Sequence, residues 1–376
     1  MVAYSGDLGV GSPHLHLEIR RGDELCDPFL EGLPLPSGLS APKVAGLTFV
    51  PREASSRVEG GFSPLFVPAV RAGEGLGLSK PVTVAGPFDV FLQAADHLGV
   101  LENVTGVPVV RASLDGKGFF DMDLRCVSLA HYKQSQALFD PTLDRPGFTA
   151  YRLRRLPNLD VAGFSGSGPP AGLVPGPHEL TVTASNRGGL STIVSGTILA
   201  AAPADAPLSR LLGSGYRLQS AEVLPAGLLL SCTRDSGQGE TPLKAGAETL
   251  GGLFVRAVEA RVEVLVPRES LPRQGAALAF GDQATPWLAA AGPGSIPLGG
   301  VRLNLPAGAS GLMRPSERAE ALPGSAVRVQ VGPYSAASKA SLEFPGFAAK
   351  PGTGLFFGGS TFLDAWTGEA VPCRAD

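Results

Sequence analysis

From residue 41 onward apolar and polar positions alternate in short runs, each broken by Gly, Pro or Asp. A period of two belongs to a strand with one face on a core and the other toward water. Phe88, Val90, Leu92 and Ala94 alternate with Asp89, Phe91 and Gln93, and His178, Leu180, Val182 and Ala184 alternate with Glu179, Thr181 and Thr183. Each run opens on Gly-Pro and closes in a polar turn, a short echo of one strand-and-turn unit. Between them, Val107 to Leu114 runs into Asp115-Gly116 and returns through Phe119 to Val127. Asp-Gly between apolar runs predicts a hairpin. Phe120, Met122, Leu124 and Cys126 share one face of the returning strand, so Cys126 reads as a small core residue. Phe148 to Leu153 and Leu190 to Ala200 predict further strands, and the polar stretch Ala130 to Asp140 predicts a short helix or a long loop. Together residues 41–202 predict an Ig-like β-sandwich with a large insertion.

The segment Ala201 to Pro207 is small, proline-bearing and without periodicity, as in a linker. Beyond it, Val258, Ala260, Val262, Val264 and Val266 alternate with Glu259, Arg261 and Glu263, which predicts a half-buried strand. Val301-Leu303-Leu305 and Val327-Val329-Val331 repeat the pattern. Residues 203–376 thus form a second β-rich region, and the fold class is all-β. Trp287 and Trp366 read as core or edge packing.

The chemistry concentrates in Gly11 to Arg20, GSPHLHLEIR. On an extended strand His14, His16, Glu18 and Arg20 share a polar face able to hold a metal, and Leu15, Leu17 and Ile19 face a core. Arg21-Gly22-Asp23 supplies a turn, and Asp27-Pro28 starts the exit. A cupin barrel, which also uses His-x-His, needs a glutamate shortly beyond the pair, where Arg20 and Arg21 stand.

This stretch resembles the closing strand of the LytM or lysostaphin-type zinc metallopeptidases, which cut peptide cross-bridges in bacterial cell walls. Their strand has the form G-x-S/T-G-P-H-L-H-F/L-E-h-R followed by a turn and D-P; Gly11 to Arg20 matches with one glycine before Pro13 dropped or shifted, and Asp27-Pro28 falls at the D-P. The resemblance covers about the first thirty residues. It implies that His16 is a zinc ligand and that His14 lies beside the metal-bound water and stabilises the transition state. It further implies peptidoglycan cross-links as substrate and a periplasmic or extracellular location. The family's other ligands, a histidine and an aspartate, and a further catalytic histidine lie upstream of this strand, and Met1 to Val10 contains no histidine. A catalytic zinc needs about three protein ligands and an open position. The expectation is therefore that residues 1–30 are the C-terminal remnant of a peptidase domain, that 31–40 form a linker, and that the chain is the C-terminal part of a cell-wall zinc metalloendopeptidase, cut at both ends and inactive in isolation. The alternative is a non-catalytic β-sandwich scaffold or wall-binding protein with a vestigial peptidase strand.

Composition narrows the remaining classes. Gly 50 and Pro 34 among 376 residues suit many turns, and with 44% hydrophobic and 17% charged residues the chain is not compositionally disordered. A formal charge of −3 with no basic run gives no footprint for nucleic acid or an anionic membrane. No window approaches the length of an apolar membrane span, and the first residues lack the features of a secretory signal. Cys26, Cys126, Cys232 and Cys373 have no Cys-x-x-Cys spacing, which argues against a cysteine zinc site and gives no disulfide framework, so the redox compartment stays open. His97, His131 and His178 have no partner at ligand spacing and read as surface histidines.

Overall fold

The computed structural model describes residues 5–6, 14–15, 19–73, 75–98, 104–129, 138–156, 163–202, 206–258, 261–298, 301–315, 327–332 and 340–343. Among these the chain is all-β, with sheets of sandwich type and no α-helix. It divides into two compact units, one of Met1–Val50, Val58–Gly60 and Pro64–Ala202, the other of Pro51–Arg57, Gly61–Ser63 and Pro203–Asp376.

The first unit begins with four short strands: β1 (Ser5–Gly6), β2 (His14–Leu15), β3 (Ile19–Arg21) and β4 (Glu24–Cys26). Next come β5 (Lys43–Pro51), β6 (Arg57–Val58), β7 (Leu65–Ala72), β8 (Gly75–Leu78), β9 (Val82–Ala85) and β10 (Phe88–His97). After β11 (Val104–Thr105) follow β12 (Val109–Leu114), β13 (Lys117–Asp123), β14 (Cys126–Ser128), β15 (Thr149–Arg152), β16 (Phe164–Ser165), β17 (Gly176–Ser185) and β18 (Ser191–Ala201). The main sheet curls through the order β11-β10-β5-β7-β8-β18-β17-β12-β13-β16. The Asp115-Gly116 hairpin forms as expected between β12 and β13, and both turn residues take positive φ, 50° and 74°, the two-residue turn whose twist suits a hairpin. Leu180, Val182 and Ala184 face the core with Val110, Ala112 and Met122, while Thr181 and Thr183 face outward.

β10 departs from simple alternation, because both of its faces are buried. Phe88, Val90 and Leu92 enter the main core, and Phe91 packs with Val50 and Ala150 on the other side. Its polar residues survive burial because each meets a partner. Gln93 Nε2 donates to Thr48 Oγ1 at 3.1 Å and to the Leu143 carbonyl at 2.9 Å, and Asp89 accepts from Arg154 Nε at 2.6 Å and Nη2 at 2.9 Å.

In the second unit Leu211–Leu224, Gly227–Thr241, Arg261–Pro267 and Phe254–Val258 form a four-stranded sheet in that order. The run expected as one strand from Val258 to Val266 is two, with Val258 paired to Arg261 across a reversal. Valine at nearly every second position carries across the turn, so periodicity alone hides it. Val262, Val264 and Val266 are buried, as expected, with Leu230, Leu278 and Trp287. Trp287 is a core residue, with the Arg314 guanidinium 4.6 Å from its ring centroid; Trp366 lies outside the described residues. Cys232 is buried in the same core, and burial pushes its thiol up to about 12, which leaves it unreactive.

Candidate functional site

Gly22, at φ 60°, lets Arg21-Gly22-Asp23 reverse the chain, the turn expected from sequence. The reversal sets Arg21 opposite Glu24 and Ile19 opposite Cys26 in the β3–β4 hairpin. The other edge of β4 pairs with β14, where Cys26 stands directly opposite Cys126. The two sulfurs form a disulfide across a sequence separation of 100, with Cα atoms 4.1 Å apart. The spacing of the cysteines left the disulfide state open; the reading of Cys126 as a small core residue on the returning strand is corrected, because it is disulfide-bonded on a separate strand. β13 ends at Asp123, whose carboxylate accepts from the Arg125 amide at 3.1 Å and from Arg125 Nε at 2.8 Å, while the Leu124 amide donates to the Pro108 carbonyl. That local bend restarts the strand at Cys126 and turns it onto β4.

Of the two histidines expected at a metal centre, His14 lies on β2, paired antiparallel with Gly6, and His16 lies outside the described residues together with Glu18. Among the described residues the group of metal-ligating type is Glu24, Cys26 and Cys126, whose ligand atoms lie within 4.8 Å of one another. Cysteine binds a metal as its thiolate, and these two sulfurs are bonded to each other instead. The donor set that a catalytic zinc requires is thus not assembled among the described residues.

The chain leaving β4 is fastened to later segments of the first unit. The Asp27 amide donates to the Arg125 carbonyl at 2.7 Å, and Arg187 Nε donates to Asp27 Oδ2 at 2.5 Å. Further on, Asn186 Nδ2 donates to the Ser40 carbonyl at 2.8 Å and Thr192 Oγ1 to the Pro42 carbonyl at 2.6 Å. Asp27 and Arg187 border a cleft of about 330 Å³ with Phe29, Leu124, Phe139 and Tyr151. The Tyr151 hydroxyl accepts from the Val107 amide at 2.7 Å, and burial pushes the phenol up to about 12, so it stays neutral. With its cation and carboxylate paired, the cleft presents a packed joint rather than an acid, base or nucleophile.

Two further clusters carry no sequence motif. Arg152 reaches Asp89 and Asp140, both contacts at 3.4 Å, with its guanidinium 4.6 Å from the Phe91 ring centroid, and all three charged side chains are buried. Desolvation lowers the Arg152 pKa and raises that of Asp140. His178, expected as a simple surface residue, bonds through Nδ1 to Asp115 Oδ2 and through Nε2 to the Val174 carbonyl, both at 2.7 Å. Two acceptors on one ring are satisfied together only by the imidazolium. The Asp115 hydrogen bond is the main cause of a raised His178 pKa.

Among the described residues no helix is long and apolar enough to cross a membrane. The disulfide marks the chain as one that matures outside the reducing cytosol. No protein-family model matches the chain, and no curated protein matches it. Among solved structures it is similar to the extracellular cadherin domains 1–4 of protocadherin gamma B7, at 13% identity over 78% of this chain and 66% of that one, just under two thirds of its length. The TM-score is 0.15, a likeness too slight to carry any argument about fold or function.

Proposed function

We propose that this chain is the C-terminal part of a LytM-type cell-wall zinc metalloendopeptidase, a β scaffold that is inactive by itself and works at peptidoglycan in the periplasm or outside the cell. The observation that supports this reading is the His14-x-His16 sequence, of which His14 lies on a short strand. His14–Leu15 pairs antiparallel with Ser5–Gly6, and the chain that follows enters the β3–β4 hairpin, which a disulfide joins to β14. The disulfide also favours an oxidising compartment. A second reading, a non-catalytic wall-binding scaffold with a vestigial strand, is favoured by the locking of Glu24, Cys26 and Cys126 in a disulfide-bearing cluster rather than an open metal site.

Both readings place the chain at the wall, and both are tested by incubating the purified chain with insoluble peptidoglycan. The expected result is co-sedimentation without release of free amines, with or without added zinc. Amine release that disappears in His16→Ala would overturn the inactive scaffold. A chain left wholly in the supernatant would overturn the wall-directed role.

A further inference from the structure

The outer face of β17, β12, β13 and β16 carries a groove of about 570 Å³ that the peptidase resemblance does not account for. Its floor follows from strand register. Thr183 pairs with Arg111, Arg111 with Asp121, and Asp121 with Ser165, so these four residues form one row across four strands. Ser113 and Thr181 pair in the neighbouring outward row, and Thr181 Oγ1 lies 3.5 Å from Ser195 Oγ on β18. The intervening residues Val110, Ala112, Leu180 and Val182 point into the core, so the row cannot turn inward without unmaking it.

The lining chooses among ligand classes. Arg111 Nε lies 3.4 Å from Asp121 Oδ1, so the one cation of the row is offset by the one carboxylate, and the groove has no excess charge to draw a phosphate or a polyanion. Hydroxyls dominate the floor, which disfavours an acyl chain. An extended peptide adds to a sheet through edge N–H and C=O groups, whereas this face offers side chains. What remains is a ligand that both donates and accepts along its whole length. The hydroxyls of Ser113, Ser165 and Thr183 make no hydrogen bond among the described residues and can serve such a ligand. Strands stand about 4.8 Å apart, so the row of four spans about 14 Å, with one polar side chain for each pyranose-sized step.

We propose that this groove binds an uncharged, extended saccharide chain, with Arg111 and Asp121 gripping adjacent ring hydroxyls and Thr183, Ser113 and Ser165 completing the contacts. The proposal deepens the wall-directed reading and rests on it for the biological source of the glycan. Its test is calorimetric titration of the whole chain with a β-1,4-linked N-acetylglucosamine tetrasaccharide. The double variant Thr183→Val with Ser113→Ala should weaken binding at least tenfold, and Arg111→Met should do the same. Thr197→Val, on β18 beyond the groove, should leave the affinity unchanged, and far-UV circular dichroism checks that each variant is folded. No binding, or equal loss in Thr197→Val, would overturn the groove as a saccharide site. Co-sedimentation with peptidoglycan that the groove variants leave intact would overturn it while sparing the wall-directed reading. Tetrasaccharide binding lost in those variants, by a chain that does not co-sediment, would sustain the groove and overturn the wall.

Discussion

Replacing Cys26 and Cys126 together by serine tests the joint between the β3–β4 hairpin and β14. The bridge closes a segment of 100 residues. In the chain-entropy description a loop of that length is worth about 4.7 kcal/mol, and removing a native disulfide typically costs about 2–5 kcal/mol. Cys26 is 6% exposed, so the variant also leaves a serine hydroxyl in an apolar site, which adds to the loss. We expect the first unit to lose about 3–5 kcal/mol. Tryptophan fluorescence cannot report it, because residues 1–202 contain no tryptophan. Urea unfolding followed by far-UV circular dichroism, with hydrogen exchange read at the amides of β4 and β14, reports it directly. The urea slope should also rise, since the unfolded chain is freed to expand. A loss below about 1 kcal/mol, with exchange at β4 unchanged, would refute the view that the disulfide holds the hairpin in place.

Three other outcomes follow from the same contacts. Arg152→Ala leaves Asp140 buried without its cation and should cost about 3 kcal/mol in urea unfolding at neutral pH, and less near pH 4, where a carboxyl already raised by burial takes up a proton; an equal cost at both pH values would contradict this. Tyr151→Phe removes the acceptor of the buried Val107 amide and should cost about 1–3 kcal/mol, seen as faster exchange at that amide; unchanged exchange there would be inconsistent with the bond. His178 is held above the usual histidine value of 6.5, and its partner Asp115 below the usual 3.8, each chiefly by the hydrogen bond to the other. The stabilisation is fully present between those two values. It is lost as pH rises through the raised His178 pKa or falls through the lowered Asp115 pKa. NMR titration of His178 with amide exchange at the β12–β13 turn should show the turn loosening toward alkaline pH, and His178→Gln should abolish that dependence.

The all-β class was legible because a period of two survives wherever one face meets water, as in β17, and the Asp115-Gly116 turn was legible because two adjacent positive φ angles call for those residues. β10 was harder, since its buried polar residues look like an exposed face until Thr48, Arg152 and Arg154, distant in sequence, come to cover them. The disulfide had no local signal: Cys26 and Cys126 sit in unrelated stretches, and only the bend fixed by Asp123 and Arg125 brings them opposite one another. His178 was underestimated for the same reason, because its partner is 63 residues away across the β12–β17 pairing. The His14-x-His16 stretch is the reverse case, plain in sequence, while strand pairing places His14 alone.

The proposal that this chain carries a peptidase-type closing strand but no working zinc centre is tested most directly by calorimetric titration of the oxidised chain with zinc at neutral pH. The account predicts no stoichiometric high-affinity binding, and traces identical for the unaltered chain and His16→Ala. One tight site per chain, lost in His16→Ala, would contradict it, because it would mean that three ligands come together within these 376 residues.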